Sequence, residues 1–136
     1  MIYNLYLDDF RHPIDSSYYL GNPIYTSVEW EIVRNYDAFI AIVLEKGVPE
    51  IVSFDHDLAD EHYDPDLYGS ETYNSIYDNF VFKTGYDCAK WLINYCIDNK
   101  KELPATVLIH SMNPAGSLNI KSLFDTYNKY HEKGLM

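Results

Sequence analysis

The sequence predicts an α/β domain, a small three-layer sandwich built on a mostly parallel sheet of about four strands. Three observations carry this reading. Short β-favouring apolar runs alternate with segments of helical periodicity. Three of those runs break off directly into charge, as buried strands do where their C-terminal ends open into a site: Tyr3-Asn4-Leu5-Tyr6-Leu7 before Asp8-Asp9-Phe10-Arg11, Glu50-Ile51-Val52-Ser53-Phe54 before Asp55-His56-Asp57, and Thr106-Val107-Leu108-Ile109 before His110-Ser111-Met112-Asn113. The length, 136 residues with 47% hydrophobic, suits a single domain over residues 1–136 with a real core.

The elements follow in order. Strand one is expected at about Ile2–Leu7. Residues 10–27 carry Pro13, Gly21 and Pro23 where a first helix belongs, so that helix is expected to be reduced or missing. Strand two, about Val28–Val33, alternates Val28, Trp30 and Ile32 with Glu29 and Glu31, the pattern of a half-buried edge strand. Asp37 is placed to cap the next helix, with Phe39, Ile40, Val43 and Leu44 inward and Gly47 at its end. Pro49 leads into strand three, Ile51–Phe54. A long connection rich in acids, Asn and Tyr follows at 59–82. Its length reads as a lid or insert, with Tyr63, Tyr68, Tyr73, Tyr77 and Phe80 as anchors. Thr84-Gly85-Tyr86-Asp87 resembles a capping box, and Ala89, Leu92, Ile93, Cys96 and Ile97 supply the stripe of the helix it opens. After Pro104 comes strand four, Thr106–Ile109. Asn113 and Pro114 read as N-cap and first residue of the last helix. Leu118, Leu123, Phe124, Tyr127 and Tyr130 form its inner face, and Gly134 stops it.

Composition narrows the function classes. Net charge is −11, from 21 acids against 10 Lys plus Arg. Such a chain lacks the basic footprint that long nucleic acid requires, yet a small nucleotide or a single RNA end can be held by a few local groups. The acidity also suits a divalent cation, and nothing suggests an organic cofactor. No apolar stretch approaches the roughly 20 residues needed to cross a membrane, and no secretory signal pattern opens the chain, so the expected location is cytoplasmic. Cys88 and Cys96 lie eight apart on an apparent helix, about 12 Å, which is too far for a disulfide. They read as core thiols, and most of the 14 tyrosines as core or half-buried strand residues.

Asp8 and Asp9 are adjacent and would diverge in a regular strand, but where the backbone turns at a strand end both can converge on one cation. A third carboxylate from strand three, Asp55 or Asp57, completes an oxygen-rich site of the kind Mg²⁺ uses together with waters and phosphate. The simpler alternative is that Asp8 or Asp9 caps the turn and pairs with Arg11.

The acidic pair, the strand-three aspartate and the element order resemble the receiver domains of two-component signalling. On that resemblance Asp8 and Asp9 match the Mg²⁺-binding pair and Asp55 the phosphoacceptor. The chain departs from the pattern at His110-Ser111, where only Ser111 can match the strand-four Thr or Ser. It shows no fifth strand carrying the receiver lysine, and both the Asp-His-Asp cluster and the long insert are foreign to receivers. A closer resemblance covers nearly the whole chain. Leu7-Asp8-Asp9-Phe10-Arg11-His12-Pro13, Ser53-Phe54-Asp55-His56-Asp57-Leu58, Thr84-Gly85-Tyr86-Asp87 and His110-Ser111-Met112-Asn113-Pro114-Ala115-Gly116 are similar to the cyclic-phosphate processing receiver-like domain, a receiver derivative seen in phages and bacteria. The resemblance implies a receiver- or flavodoxin-like sheet in the order 2-1-3-4 and a role in processing RNA or nucleotide phosphate.

The residue types point toward a phosphoesterase on their own account. Opening a 2′,3′-cyclic phosphate needs a base for water, an acid for the leaving oxygen and positive charge on the phosphoryl oxygens. His56 and His110 are the candidate acid and base, with Asp55 or Asp57 to orient one imidazole and Arg11 to clamp the oxygens. Asn113 heads a helix whose NH groups favour anions, and Ser111 and Thr84 are further candidates for contact with substrate. His12 is a weaker candidate, and His62 and His131 read as solvent-exposed. The expectation is therefore a small phosphodiester hydrolase acting on a nucleotide or RNA terminus, with His56, His110, Arg11 and Asp57 as chemical groups and Asp8, Asp9 and Asp55 around a metal such as Mg²⁺. The competing expectation is a non-catalytic receiver-like module that binds a nucleotide, metal or protein partner. A third is a metal held purely for stability.

Overall fold

The computed structural model describes residues 2–58 and 84–132, with side chains up to residue 128. The chain runs β1 (Asn4–Leu7), α1 (Pro13–Leu20), α2 (Ile24–Ser27), β2 (Glu31–Val33), α3 (Tyr36–Lys46), β3 (Ile51–Phe54), α4 (Gly85–Asp98), β4 (Thr106–Ile109) and α5 (Pro114–Glu132). The insert expected at 59–82, His62, Gly134 and the side chains of Tyr130 and His131 lie outside the described residues. Among the described residues, no helix is long and apolar enough to cross a membrane.

All pairings are parallel and the strand order is β2-β1-β3-β4, as expected. The chain steps from β1 outward to β2, then passes back over β1 to β3 and on to β4. Right-handed crossovers put the connections of these opposite steps on opposite faces of the sheet. α1 and α2 accordingly cover one face, while α3, α4 and α5 pack side by side on the other. The direction of winding reverses between β1 and β3, which is where open α/β sheets leave a crevice beyond the strand ends.

Register makes that crevice level. Leu7 pairs with Val33 and with Phe54, and Phe54 pairs with Ile109, so the last residues of four strands stand in a row. The ladder runs one step further: Asp8 N donates to the Val33 carbonyl (3.1 Å), Asp55 N to Leu7 (3.0 Å) and His110 N to Phe54 (3.0 Å). Every chemically active strand end is thus presented on one edge.

Alternation gives the two faces different chemistry. Toward α3–α5 point Leu5, Leu7, Val52 and Phe54, all fully buried against Phe39, Val43, Leu92, Cys96, Ile120 and Phe124. Each such side chain contributes about 1.5–3 kcal/mol of burial. Toward α1 and α2 point Tyr6, Ser53 and His110, a buried polar and aromatic layer that meets Ser16 and Tyr25.

Several element details depart from expectation. The first helix is reduced but present, as eight residues with Pro13 at its start, Asp15 accepting from His12 N at 2.9 Å, and Gly21 at φ 65° ending it. Proline at the first helical position lacks only an NH that has no helical partner anyway. β2 is three residues long and not six, and its inward residue is Val33 while Ile32 faces out. Trp30 instead packs its ring against Tyr6 and Tyr25. Asn35, and not Asp37, caps α3 by accepting from Ala38 N at 2.8 Å. Phe39 and Val43 are buried there, but Leu44 is 61% exposed. Thr84 and Asp87 form the expected capping box of α4. On α5, Leu118, expected on the inner face, is exposed, and Ile120, not among the residues expected there, is fully buried.

Gly85 ties α4 to the tip of β3. Its NH donates to the His56 carbonyl at 2.7 Å, and a Cβ there would stand 1.7 Å from the Asp55 carbonyl oxygen. Backbone cannot yield as a side chain can, so Gly85→Ala should lower stability by about 3 kcal/mol in denaturant titration. A wild-type midpoint would show that the β3–α4 junction is looser than this contact requires.

Candidate active site at the strand tips

Asp8 is the first residue past β1, and its carboxylate is fully buried. One oxygen, Oδ1, accepts from the NH groups of Phe10 (3.0 Å) and Arg11 (2.9 Å), which fold the chain into a tight turn. The other, Oδ2, accepts from His110 Nε2 at 3.1 Å and has the Arg11 guanidinium at 3.7 Å. Burial opposes its charge, but the bonds from His110 and the two NH groups prevail and hold its pKa below the usual carboxylate range. Arg34, just past β2, fixes the same turn by donating to the carbonyls of Asp8 (3.2 Å) and Arg11 (2.6 Å).

His110 is fully buried and both ring nitrogens are engaged, Nε2 by Asp8 and Nδ1 by Ser53 Oγ at 2.6 Å. Burial pushes its pKa down, and Asp8 only partly offsets that. The network fits a neutral imidazole that donates from Nε2 and accepts at Nδ1 from Ser53, which in turn accepts from the Tyr25 hydroxyl at 2.7 Å. Tyr6 stacks flat on the ring, with centroids 4.3 Å apart, and the Tyr19 hydroxyl donates to the His110 carbonyl. His110 was expected, with His56, as a candidate acid or base. The structure instead gives it the surroundings of a support beneath Asp8.

Asp9 and Asp55 complete the acidic cluster. Each of Asp8, Asp9 and Asp55 offers an oxygen, and these atoms lie within 4.8 Å of one another. Of the two strand-three candidates it is therefore Asp55, and not Asp57, that joins the pair. Asp55 is 2% exposed and its Oδ2 is buried without a hydrogen bond. Burial first, then the neighbouring charge of Asp8, pushes its carboxyl up to about 7, against lowering contributions from Arg11 and the Ser111 hydroxyl. A buried, oxygen-only trio with an oxygen left unsatisfied fits a hard divalent cation such as Mg²⁺. Arg11 spreads over the Phe10 ring (4.9 Å to its centroid) and near that of Tyr19 (5.6 Å) at the same edge.

His56 leaves β3 on the other side of the sheet from Asp55, and it is half-buried. Its Nδ1 bonds Asp57 Oδ1 at 2.9 Å, and Asn113 Nδ2 donates to Asp57 Oδ2 at 3.3 Å. Asn113 Oδ1 meanwhile caps α5 by accepting from Gly116 N at 2.9 Å, and a Cβ on Gly116 would stand 2.4 Å from the His56 ring. The imidazole is thus clamped, with Nε2 left as the nitrogen that can act. Ser111 Oγ accepts from Asn113 N at 3.1 Å and supports Asp55. The Thr84 hydroxyl, a substrate contact by expectation, bonds Asp87 within the cap of α4 at 3.1 Å.

With this geometry in hand, comparison with known proteins decides the family. Residues 3–126 match the model of the Cyclic-phosphate processing Receiver domain. The chain belongs to that family. No curated protein and no solved structure matches it. The order of its strand-tip motifs follows the expectation for a cyclic-phosphate processing receiver domain.

Sequence reasoning missed Arg34, Ser53, Tyr6, Tyr19, Tyr25, Gly85 and Gly116. One signal was available: Ser53 is the only polar residue inside an otherwise apolar strand, and a buried hydroxyl needs a partner.

Asp55 gives a pH prediction. Its folded pKa is raised from 3.8 to about 7, so the folded state holds the proton more tightly than the unfolded chain. The stability this contributes is present at low pH and is lost as pH rises from about 4 to about 7. In metal-free protein, Asp55→Asn should then gain stability over wild type by an amount that is small at pH 5, grows with pH and levels off above 7. Denaturant midpoints across that range measure it, and a pH-independent difference contradicts it.

Proposed function

We propose that this domain hydrolyses a cyclic phosphodiester on a nucleotide or an RNA end. The observation that carries the reading is the convergence of Asp8, Asp9 and Asp55 beside Arg11, with His56 held by Asp57 at the neighbouring tip of the same strand. A phosphate resting across the tips of β1 and β3 meets carboxylates and Arg11 on one side and His56 on the other.

Each residue has a defined task. His56 Nε2 takes a proton from water, and Asp57 orients the ring and balances the charge it gains. Water oxygen bonds to phosphorus, the bond from phosphorus to one ribose oxygen breaks, and that oxygen takes a proton from solvent water as His56 returns its own to solvent, leaving a phosphomonoester. Arg11 donates to the phosphoryl oxygens, where negative charge grows. Asp8, Asp9 and Asp55 would hold a divalent cation, which when bound supplies further positive charge to those oxygens. His110 keeps Asp8 ionised and correctly turned; it acts through Asp8 and not on the substrate.

A second reading is favoured by the position of Asp55, which stands with Ser111 where a signalling receiver carries its phosphoacceptor and hydroxyl. On that reading the domain binds its ligand without turning it over. Purified protein incubated with 2′,3′-cyclic nucleotides, with and without Mg²⁺, separates the two. The expected result is a nucleoside monophosphate product, with His56→Ala lowering kcat by about 10²–10⁴-fold. Mg²⁺ should raise the Tm of wild type but not of Asp55→Asn. Binding without any His56-dependent product sinks hydrolysis and leaves the binding module.

A further inference from the structure

A groove of about 860 Å³ runs between α4 and α5, starting at His56 and Thr84 and passing along Tyr86, Asn94, Asn119 and Leu123. The acidic cluster does not use it. We propose that this groove seats the nucleobase and ribose of the substrate, so that the domain recognises one terminal nucleoside and not a bare phosphate ester. The inference rests on the hydrolytic reading of the strand tips and names the substrate class that reading leaves open.

Continuity comes first. His56 lines the groove, and the residue before it, Asp55, belongs to the acidic cluster. Their side chains leave β3 on opposite faces, so a ligand whose phosphate lies on the strand tips enters the groove by passing over the tip of β3. Size is the second argument. The volume falls in the range of roughly 300–1,000 Å³ typical of small-molecule and cofactor sites, and a phosphate alone would leave most of it unfilled.

The lining fits a base better than a lipid or a simple sugar. Half-buried Tyr86 lines the groove with an aromatic ring, beside buried Ile93 and half-buried Leu123. Every nucleobase has a flat face for such surfaces. Asn94 and Asn119, one on each helix, are exposed carboxamides, which carry both donor and acceptor and match base edges. The net charge of −11 disfavours a long polyanion entering alongside, which restricts recognition to a single nucleoside.

The test compares binding of a 2′,3′-cyclic nucleotide with that of abasic ribose 2′,3′-cyclic phosphate, by calorimetry on the full chain. Wild type should bind the nucleotide about tenfold or more tightly than the abasic compound. Ser122→Trp, which fills the groove from an exposed position, should erase that preference by weakening the nucleotide far more than the abasic compound. Asn119→Ala, a milder truncation, should weaken the preference in the same direction, which guards against misfolding of the Trp variant. Equal affinity for the two compounds in wild type overturns the inference, as does a preference that survives both substitutions. So does a preference lost on Phe10→Ala but not on the groove variants, because the base then lies over the exposed Phe10 ring beside Arg11. Failure of the two readings is separable. Groove-dependent nucleotide binding without turnover removes hydrolysis and keeps this inference, and turnover that ignores the base does the reverse.

Discussion

The buried charge of Asp8 is the constraint on which the rest of this structure depends. A carboxylate removed from water costs several kcal/mol unless its oxygens are fully bonded. Here two backbone NH groups, an imidazole and a guanidinium surround it. Each of those groups then needs a support of its own. His110 needs Ser53, Ser53 needs Tyr25, and the ring needs the flat face of Tyr6. This chain of requirements explains why one face of the sheet is polar and aromatic while the other is aliphatic. It also explains why α1 and α2 persist as short elements: Tyr19 and Tyr25 seal the network from water.

With Asp8 held ionised, the neighbouring acids are placed at a disadvantage. Asp55 is buried against that charge, and its carboxyl is pushed up to about 7 as a result. The cluster is therefore unfavourable to itself when nothing positive is added, an arrangement that makes sense where charge is to be supplied by a ligand. Arg11 provides part of that relief, yet Asp55 Oδ2 still lacks a hydrogen bond. The crowding of like charge follows from a strand pairing that stacks the first residues after β1 and β3 side by side.

Much of this was legible in the residues. Apolar runs that break into charge located three of the four strands and the tips that form the candidate site, because strand burial and strand ends leave a direct mark on hydropathy; alternation placed the fourth, β2. The capping pairs Thr84–Asp87 and Asn113–Pro114 were legible for the same local reason. What stayed hidden was which way side chains point. The parity of β2 failed because only three residues pair and Trp30 turns away to the aromatic layer. Leu44 and Leu118 looked like core by period and are exposed, since the stripe a helix buries depends on its neighbours. Arg34 binds only backbone oxygens, and no spacing announces such a role.

Parity also divides the two strand-end histidines. His110 lies on the α1 side, with both nitrogens spent, and serves the geometry of Asp8. His56 follows Asp55 by one residue and so emerges on the α4–α5 side, where Asp57 and Asn113 clamp it at the mouth of the groove. One β3 tip therefore sends a carboxylate to one side of the sheet and an imidazole to the other. The acidic cluster and the clamped imidazole thus flank the same strand tip from its two faces. A shift of one residue in the β1–β3 register would exchange those sides and leave neither set complete. The pairing of Leu7 with Phe54 is what joins the fold to the candidate site.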